Sequence, residues 1–359
     1  MNKLLVDLGE KSYNIVFEKD FSKLCDELKN INCPEKLLIV TDSNVLELYA
    51  DEVEKLLKTN GYDVSVCSFT AGEENKNMDT ILKICSACIE HKMDRKSMII
   101  ALGGGVVGDM AGFASSIFMR GIDFVQIPTT LLSQTDSSVG GKTGIDFMQA
   151  KNILGAFHQP KLVYINSSVL KTLPNREFIS GMGEVIKHSI IRDCEFFEYL
   201  IENMDNVKKL SDEILLDMIY KNCSIKASVV SKDEKETGER ADLNFGHTFG
   251  HAVESYADFK LSHGECVGLG MLAASKVAVE RGLIEDKDLD RIIELLKAYG
   301  FSLKTDIKDI QEVVSLLAKD KKKSGRKLKF ILPSSIGSVI QCDDLTNEEI
   351  IRGFEYIRK

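Results

Sequence analysis

A short apolar run, SMIIAL (97–102), leads directly into the glycine-rich segment LGGGVVGDMAG, and this junction constrains the fold more than any other feature. The pattern predicts a buried strand, a tight turn and then a helix. Gly103, Gly105 and Gly108 fit G-x-G-x-x-G, which lets backbone N–H groups approach a diphosphate at a helix N-terminus. A tight turn with close helix packing would show the same glycines, so the motif alone is a weak signal.

Further apolar runs alternate with helical stretches through the first half of the chain. They are KLLIV (36–40), DVSVCSF (63–69), IDFVQIP (122–128) and KLVYIN (161–166). Strands alternating with helices predict a mostly parallel sheet with helices on both faces. After Leu173-Pro174 the apolar residues recur at helical period until KLKFILP (327–333). The sequence therefore predicts an α/β domain over residues 1–174 and an α-helical domain over 175–359.

A dinucleotide site usually has an acidic residue about 20 residues after the glycines, but that position falls at Pro128-Thr129. Asp42 ends an earlier strand, where its carboxylate could accept ribose hydroxyls. Asp42, the glycines and Thr129-Thr130 all follow predicted strands, and open α/β sheets bind ligands at this edge. The combination favours a dinucleotide over a simple turn. Asp109 would repel a diphosphate unless it points to a hydroxyl or an amide.

Composition excludes several classes of partner. The net charge of −9 disfavours nucleic acid and anionic membranes. No apolar run is long enough for a membrane span, and the first residues are interrupted by Asp7 and Glu10, so we expect a cytoplasmic protein. The nine cysteines lack a framework spacing and are expected to be reduced. Cys85 and Cys88 form C-x-x-C within a helical pattern, where packing is the better interpretation.

Five residues are candidate metal ligands: Glu184 and His188 in GEVIKH, His247 and His251 in GHTFGH, and His263 in SHGEC. Glu184 and His188 are four residues apart, and so are His247 and His251, so the members of each pair share one face of a helix. A catalytic zinc takes three protein ligands, and the residue pattern does not choose three of the five. Histidines near phenylalanines, here Phe245 and Phe249, are also often packed in a core.

Several cations lie among glycine, serine and apolar residues instead of on charged faces. They are Lys142, Lys151, Lys187, Lys226 and Arg240. A simple alcohol needs no such cations, whereas a substrate that carries both a carboxylate and a phosphate does. We therefore expect an anionic small-molecule substrate.

Together these segments resemble the 3-dehydroquinate synthase family. The resemblance rests on GGGVVGDMAGF, FMRGIDFVQIPTTLLSQTDSSVGGKTGID, KNILGAF, LPNREFISGMGEVIKH, NFGHTFGHAVE and HGECVGLGM, and it extends from Asp42 to about Gly337. It implies a Rossmann-like N-terminal domain with a parallel-rich sheet, an all-α C-terminal domain, one NAD and one Zn²⁺ or Co²⁺. It also implies conversion of 3-deoxy-D-arabino-heptulosonate 7-phosphate to 3-dehydroquinate and phosphate. The steps are transient oxidation, phosphate elimination, reduction and aldol closure.

The resemblance also assigns roles to residues. It implies Glu184, His247 and His263 as metal ligands, with His251 as a substrate contact, and His188 is left to packing. It implies a homodimer in which Arg120 reaches the neighbouring site. The implied substrate contacts are Asp136, Lys142, Lys151, Asn152, Lys187, Lys226, Arg240, Asn244, His251 and Lys321 or Lys322. The implied cofactor contacts are Asp42, Asn44, Glu73, Lys76, Gly104, Gly105, Val106, Asp109, Thr129, Thr130, Leu132, Thr172, Leu173 and Glu177, with Asp136, Lys142 and Lys151 shared between the two groups.

Three departures from the family pattern occur, at Gly183, His188 and Val169, and none removes a group that the chemistry needs. Three other functions are compatible with parts of the pattern. A 2-deoxy-scyllo-inosose synthase would not need cations for a carboxylate. An alcohol dehydrogenase would accumulate NADH, and a non-catalytic regulator would not need every catalytic group.

Overall fold

The structure is a computed structural model that describes residues 2–148, 150–236, 238–258, 260–324 and 328–359, with the backbone alone for 318–324. The chain divides into two compact units. The first comprises Met1–Leu173 and Leu215–Lys235, and the second comprises Pro174–Ile214 and Glu236–Lys359.

A seven-stranded sheet forms the centre of the first unit, in the order β1-β2-β9-β6-β5-β3-β4. β1 is antiparallel to β2, and every other pairing in this sheet is parallel. A separate antiparallel hairpin is formed by β7 and β8. The strands are β1 (Lys3–Val6), β2 (Tyr13–Glu18), β3 (Lys36–Asp42), β4 (Asp63–Phe69), β5 (Met98–Gly103), β6 (Asp123–Pro128), β7 (Lys142–Phe147), β8 (Ala150–Phe157) and β9 (Leu162–Asn166).

The helices are α1 (Leu24–Asn30), α2 (Ser43–Val45), α3 (Asp51–Thr59), α4 (Met78–Glu90), α5 (Gly105–Ile117), α6 (Asn175–Arg192), α7 (Cys194–Glu202), α8 (Met204–Lys208), α9 (Asp212–Lys232), α10 (His247–Tyr256), α11 (His263–Glu280), α12 (Asp286–Ala298), α13 (Ile310–Ser324) and α14 (Asn347–Ile357). Short 3₁₀ turns occupy Gly9–Lys11, Glu73–Asn75, Phe118–Arg120, Ser167–Thr172 and Glu239–Asn244, and π-helical turns occupy Leu46–Ala50 and Ser133–Ser137.

Side chains alternate between the two faces of the sheet because successive residues of a strand point in opposite directions. In β3, Leu37 and Ile39 pack with α1 and α3, whereas Leu38 and Val40 pack with α4 and α5. Both faces are therefore covered by helices, and the predicted α/β architecture of the N-terminal part is confirmed.

The second unit is built around α11, which is apolar on almost all sides and contacts α6, α10, α12 and α14. A helix of this composition is expected to be buried. A hairpin of β10 (Phe330–Ser335) and β11 (Ser338–Cys342) also contacts it through β10. Among the described residues, no helix combines the length and apolar composition that a membrane span requires.

Three features differ from the sequence prediction. The strands β1 and β2 and the hairpin β7–β8 had no recognised signal, because each is short or mixes polar with apolar residues. The sequence places Leu215–Lys235 in the predicted α-helical domain of residues 175–359, yet in the structure this segment belongs to the first unit. Its helix α9 packs there through Tyr220 on Phe17 and through side-chain bonds to the turn Ser133–Ser137.

Candidate active site

The carboxyl ends of β3 and β5 mark a reversal of strand order in the first unit. The chain runs from β3 outward to β4 and then returns to β5 on the other side of β3. Ligands of open α/β sheets bind at such a switch point. Asp42 ends β3, Gly103 ends β5 and Pro128 ends β6, so the residues predicted for the nucleotide follow these strand ends.

The glycine-rich turn brings two backbones close together. Gly104 is the N-cap of α5 and has no side chain to cover the free N–H groups of the first helical turn. A Cβ at Gly104 would lie 3.1 Å from Thr130 Cγ2, and one at Gly105 would lie 3.0 Å from Ser137 Oγ. The Thr129 N–H donates to the Gly103 carbonyl at 3.0 Å. Small residues are therefore favoured here, and the helix N-terminus can face an anion.

Asp42 has a structural role in addition to its predicted contact with a ribose hydroxyl. Its Oδ1 accepts hydrogen bonds from the N–H groups of Asn44 at 2.8 Å and Val45 at 3.0 Å, which caps α2. Both bonds use the same oxygen. Oδ2 is thus the atom of this carboxylate that can accept a ribose hydroxyl.

The negative charge of Asp109 is balanced by a buried lysine. Lys76 Nζ lies 2.7 Å from Asp109 Oδ2, and the Lys76 residue is 4% exposed. Burial alone would lower the pKa of Lys76, but the carboxylates of Asp109 and Glu73 raise it above its ordinary value. The sequence suggested that Asp109 would repel a diphosphate. Because Lys76 balances its charge, Asp109 does not place an unbalanced negative charge beside the glycine-rich turn.

The other predicted cofactor residues lie in the turns and helices that follow these strands. In the first unit they are Asn44, Glu73, Val106, Leu132, Thr172 and Leu173, while Glu177 lies in the first turn of α6 in the second unit. The Thr172 hydroxyl contacts the Tyr49 hydroxyl at 2.5 Å.

Asp136 and Lys226 form a second ion pair in the first unit. Lys226 Nζ lies 2.5 Å from Asp136 Oδ1 and also donates to the Asp136 carbonyl at 2.7 Å. Asp136 lies in the π-helical turn, and α9 holds this turn from the side. Asn222 Nδ2 donates to the Thr135 carbonyl at 2.7 Å, and Cys223 Sγ donates to the Gln134 carbonyl at 3.2 Å. Such π-helical turns often occur at functional sites.

Four predicted residues of the first unit are exposed: Lys142, Lys151 and Asn152 on the hairpin β7–β8, and Arg120 after α5. Met119 and Arg120 both have left-handed backbone conformations, with φ of 49° and 70°. The turn therefore directs Arg120 outward under backbone strain, which is a feature of functional sites.

In the second unit, Glu184, His247 and His263 converge on one point. Glu184 Oε1 lies 3.6 Å from His247 Nε2 and 3.4 Å from His263 Nε2. Ligand atoms at about 2.0–2.1 Å from a tetrahedral zinc are roughly 3.3 Å apart. Glu184 is 1% exposed, and within the described part of the chain its Oε1 has no hydrogen-bond partner. The other oxygen, Oε2, is paired with Lys187, whereas Oε1 lies beside two imidazole nitrogens, so the three residues fit a divalent metal ion.

Neighbouring groups favour the ligating forms of His247 and Glu184. The Phe245 carbonyl lies 3.2 Å from His247 Nδ1, which favours the tautomer with its lone pair on Nε2. Burial lowers the pKa of His247 well below its usual range, so the imidazole is neutral as a ligand must be. Burial alone would raise the pKa of Glu184, but Lys187, which donates to Glu184 Oε2, together with His247 and His263 holds it well below its usual value.

The two other candidate histidines lie close to these residues, since a ligand atom of His251 is within 4.8 Å of one of His263, and a ligand atom of His188 is within 4.8 Å of one of Glu184. The ring of His251 lies 5.2 Å from that of His247, but its side chain is exposed. His188 is fully buried on α6, consistent with a packing role. Glu254 was not assigned a role from the sequence, although it ends the segment GHTFGHAVE. It is 7% exposed, and its carboxylate lies within 4.8 Å of ligand atoms of His251 and His263.

Glycines let three helix backbones approach one another around Glu184, His247 and His263. A Cβ at Gly264 would lie 1.9 Å from the Ser180 carbonyl oxygen of α6, and one at Gly270 would lie 1.9 Å from the Gly246 carbonyl oxygen. Ser262 caps α11 in a capping box with Glu265, which makes His263 the first residue of that helix. His247 likewise begins α10, after Gly246 in a left-handed conformation with φ of 79°.

Arg240 and Asn244 lie in the 3₁₀ turn Glu239–Asn244 of the second unit, and Arg240 is 2% exposed. Two residues without a sequence signal hold this turn. Arg192 Nη2 and Gln341 Nε2 each donate to the Asp242 carboxylate at 2.8 Å. They are distant in sequence and contact Asp242 only through the tertiary fold. Lys321 and Lys322 lie outside the residues whose side chains are described.

Family models match both parts of the chain. The 3-dehydroquinate synthase N-terminal model covers residues 66–180, and the C-terminal model covers residues 181–323. The chain belongs to the 3-dehydroquinate synthase family. A 3-dehydroquinate synthase from Acetivibrio thermocellus is 47% identical over 353 residues, which is 98% of each chain.

Solved structures with the same fold extend the comparison. A 2-epi-5-epi-valiolone synthase, ValA from Streptomyces hygroscopicus, with NAD⁺ and Zn²⁺ bound, is 27% identical with a TM-score of 0.90. A 2-deoxy-scyllo-inosose synthase with carbaglucose-6-phosphate, NAD⁺ and Co²⁺ is 25% identical with a TM-score of 0.87. Each alignment covers 98% of both chains. The dehydroquinate synthase-like fold predicted for this family member is therefore confirmed.

Proposed function

We propose that the chain is a 3-dehydroquinate synthase, a phosphate-eliminating lyase that converts 3-deoxy-D-arabino-heptulosonate 7-phosphate to 3-dehydroquinate and phosphate. The reaction returns the hydride it removes, so NAD is used catalytically. The observation that carries the proposal is the convergence of Glu184, His247 and His263 in a chain 47% identical to a 3-dehydroquinate synthase. When bound, NAD supplies reversible hydride transfer at C5 of the substrate and the divalent cation polarises the C5 oxygen.

Glu184, His247 and His263 would hold the cation, Zn²⁺ or Co²⁺. In the first unit, the free N–H groups at the start of α5 would hold the diphosphate of NAD, and Asp42 Oδ2 would accept from a ribose hydroxyl. The solved relatives that contain NAD⁺ with Zn²⁺ or Co²⁺ support the presence of both groups.

The cations of each unit would bind anionic groups of the substrate. Lys187 and Arg240 of the second unit are 2% exposed each, so water screens their charges weakly. Lys226 of the first unit is 5% exposed and is held in place by Asp136. Orientation by such fixed charges lowers the entropy cost of each step. His251, Asn244 and Asn152 are the neutral groups available to bind hydroxyls or to hold a proton.

One assay tests the reaction. Purified protein with NAD and Zn²⁺ is given the heptulosonate phosphate, and phosphate and dehydroquinate are measured together with absorbance of NADH. We expect equal amounts of both products without net NADH. Net NADH formation would indicate a dehydrogenase, and turnover of glucose 6-phosphate instead would indicate a 2-deoxy-scyllo-inosose synthase.

The metal assignment has its own test. His263→Ala should lose the bound metal and turnover while NAD affinity, measured by titration, is kept. His91→Ala, which changes an exposed histidine at the end of α4, is the matched control. Near-normal metal content in His263→Ala would overturn the assignment.

We also propose a homodimer in which Arg120 reaches the partner's site. Arg120 is exposed on a strained turn beside two exposed apolar residues, Ile117 (46%) and Met119 (42%). Sedimentation shows whether the chain forms a dimer. Co-expression of the Arg120→Ala and His263→Ala variants tests whether Arg120 reaches the active site of the partner. Each mixed dimer would then contain one intact site, so about a quarter of all sites should be active. No recovery above the two parent variants would contradict the proposed reach.

A reducing compartment such as the cytoplasm suits this chain, because all nine cysteines are free. Burial raises the pKa of Cys33 and of Cys88 to about 12, so these thiols resist oxidation. The same burial supports packing as the role of the Cys85–Cys88 pair.

A further inference from the structure

The hairpin β7–β8 contains an irregularity at the point where Asn152 lies. Ile145 pairs with Leu154 and Phe147 pairs with Ala150, so Asp146 alone faces the three residues 151–153. Asn152 has a left-handed backbone with φ of 53°. Non-glycine residues adopt this conformation rarely, and they keep it only where surrounding contacts impose it.

Asp146 makes the contact that holds Asn152 in this left-handed conformation. Its Oδ1 accepts a hydrogen bond from the Asn152 N–H at 2.7 Å. The Asp146 N–H in turn donates to the Lys76 carbonyl at 2.9 Å. Lys76 Nζ then donates to Asn152 Oδ1 at 2.5 Å. These three residues therefore form a closed ring of backbone and side-chain hydrogen bonds.

The ring also decides which end of the Asn152 amide is available. An ammonium group can only donate, so the atom that faces Lys76 Nζ must be the amide oxygen. The Asn152 NH₂ group is then left as the outward hydrogen-bond donor. Lys76 is itself fixed by Asp109 at 2.7 Å, so it cannot turn away without leaving the half-buried carboxylate of Asp109 without this partner.

We propose that Asp146 is a positioning residue, which together with Lys76 holds Asn152 so that its NH₂ group donates to a hydroxyl or anionic oxygen of the substrate. This inference rests on the proposed function, in which Asn152 contacts the substrate. Asp146 acts through Asn152 and does not itself touch the reacting atoms.

A double-mutant cycle tests the proposal. Asp146→Ala should lower kcat/KM by about tenfold, mainly through KM, because it removes the acceptor that orients Asn152. Asp146→Asn keeps an acceptor oxygen and should restore most of the activity. In an Asn152→Ala background, Asp146→Ala should have little further effect, since the group that it positions is absent. Asp123→Ala, an exposed change at the start of β6, is the control for loss of a carboxylate.

The outcomes separate this inference from the proposed function. If Asn152→Ala loses activity while Asp146→Ala does not, or if the two effects multiply, the positioning role is wrong and the proposed function stands. If Asn152→Ala keeps full kcat/KM, the substrate contact and the positioning role are both wrong. Thermal unfolding of every variant shows whether a loss of activity follows from a loss of folding.

Discussion

Gly264→Ala is the substitution for which the structure makes the sharpest prediction. A Cβ at this position would lie 1.9 Å from the Ser180 carbonyl oxygen, and ordinary contacts begin at 3.4 Å. The backbones of α6 and α11 must therefore separate locally by about 1.5 Å, the difference between these distances. The Gly264 N–H bond to Ser180 Oγ, now 3.1 Å, would be stretched or broken.

The displacement acts directly on two of the proposed metal ligands. Glu184 lies on α6 and His263 is the first residue of α11, so the shift opens the 3.4 Å separation between Oε1 and Nε2. A zinc site tolerates ligand shifts of about 0.2 Å. We expect Zn²⁺ affinity to fall by at least about 10–100-fold, as for damage to groups that orient a ligand. Overpacking should cost about 1–3 kcal/mol of unfolding free energy.

Competition with a chromophoric chelator measures the affinity, and calorimetry measures the unfolding temperature. Gly268→Ala is the matched control, because its Cβ would meet the side-chain ring of Phe301, 2.7 Å away, instead of a backbone. That control should lose stability and keep its Zn²⁺ affinity. If Gly264→Ala binds Zn²⁺ as tightly as the unchanged chain, the role assigned to backbone approach is refuted.

Three further predictions follow from other contacts. The hydrogen bond from Arg281 lowers the pKa of Glu349 to about 2, so Glu349 contributes stability above its unfolded pKa of about 4.5 that is lost as pH falls towards 2. Glu349→Gln should therefore be less stable at pH 7 in a denaturant titration, and the difference should vanish near pH 2. Glu254→Gln should lower Zn²⁺ affinity by about tenfold, because a buried carboxylate near His263 orients the ligand, whereas Glu280→Gln at the far end of α11 should not. Removal of Zn²⁺ by a chelator should lower the unfolding temperature, since a ligand at 100 times its Kd stabilises by about 2.7 kcal/mol; equal melting curves with and without Zn²⁺ would contradict this.

Local patterns were sufficient for five of the seven strands of the sheet and for the glycine-rich turn at its carboxyl edge. Five apolar runs became β3, β4, β5, β6 and β9, and the glycine-rich segment became the turn before α5. These features follow from neighbouring residues, because strand burial and glycine conformation are set within a few positions. The hairpin β7–β8 was not predicted because its strands mix polar with apolar residues, and Asp146 and Asn152 within it contact Lys76, which is distant in sequence.

The sequence by itself determined which chemical groups the chain offers: five candidate metal ligands, a glycine-rich helix start and a set of cations outside charged faces. The family resemblance implied Glu184, His247 and His263 as ligands, but only the tertiary structure shows that these three lie around one point, with His251 exposed and His188 buried. Residues on three different helices converge only if their backbones approach closely. That approach depends on glycines such as Gly264, whose partner on α6 is not a neighbour in the sequence.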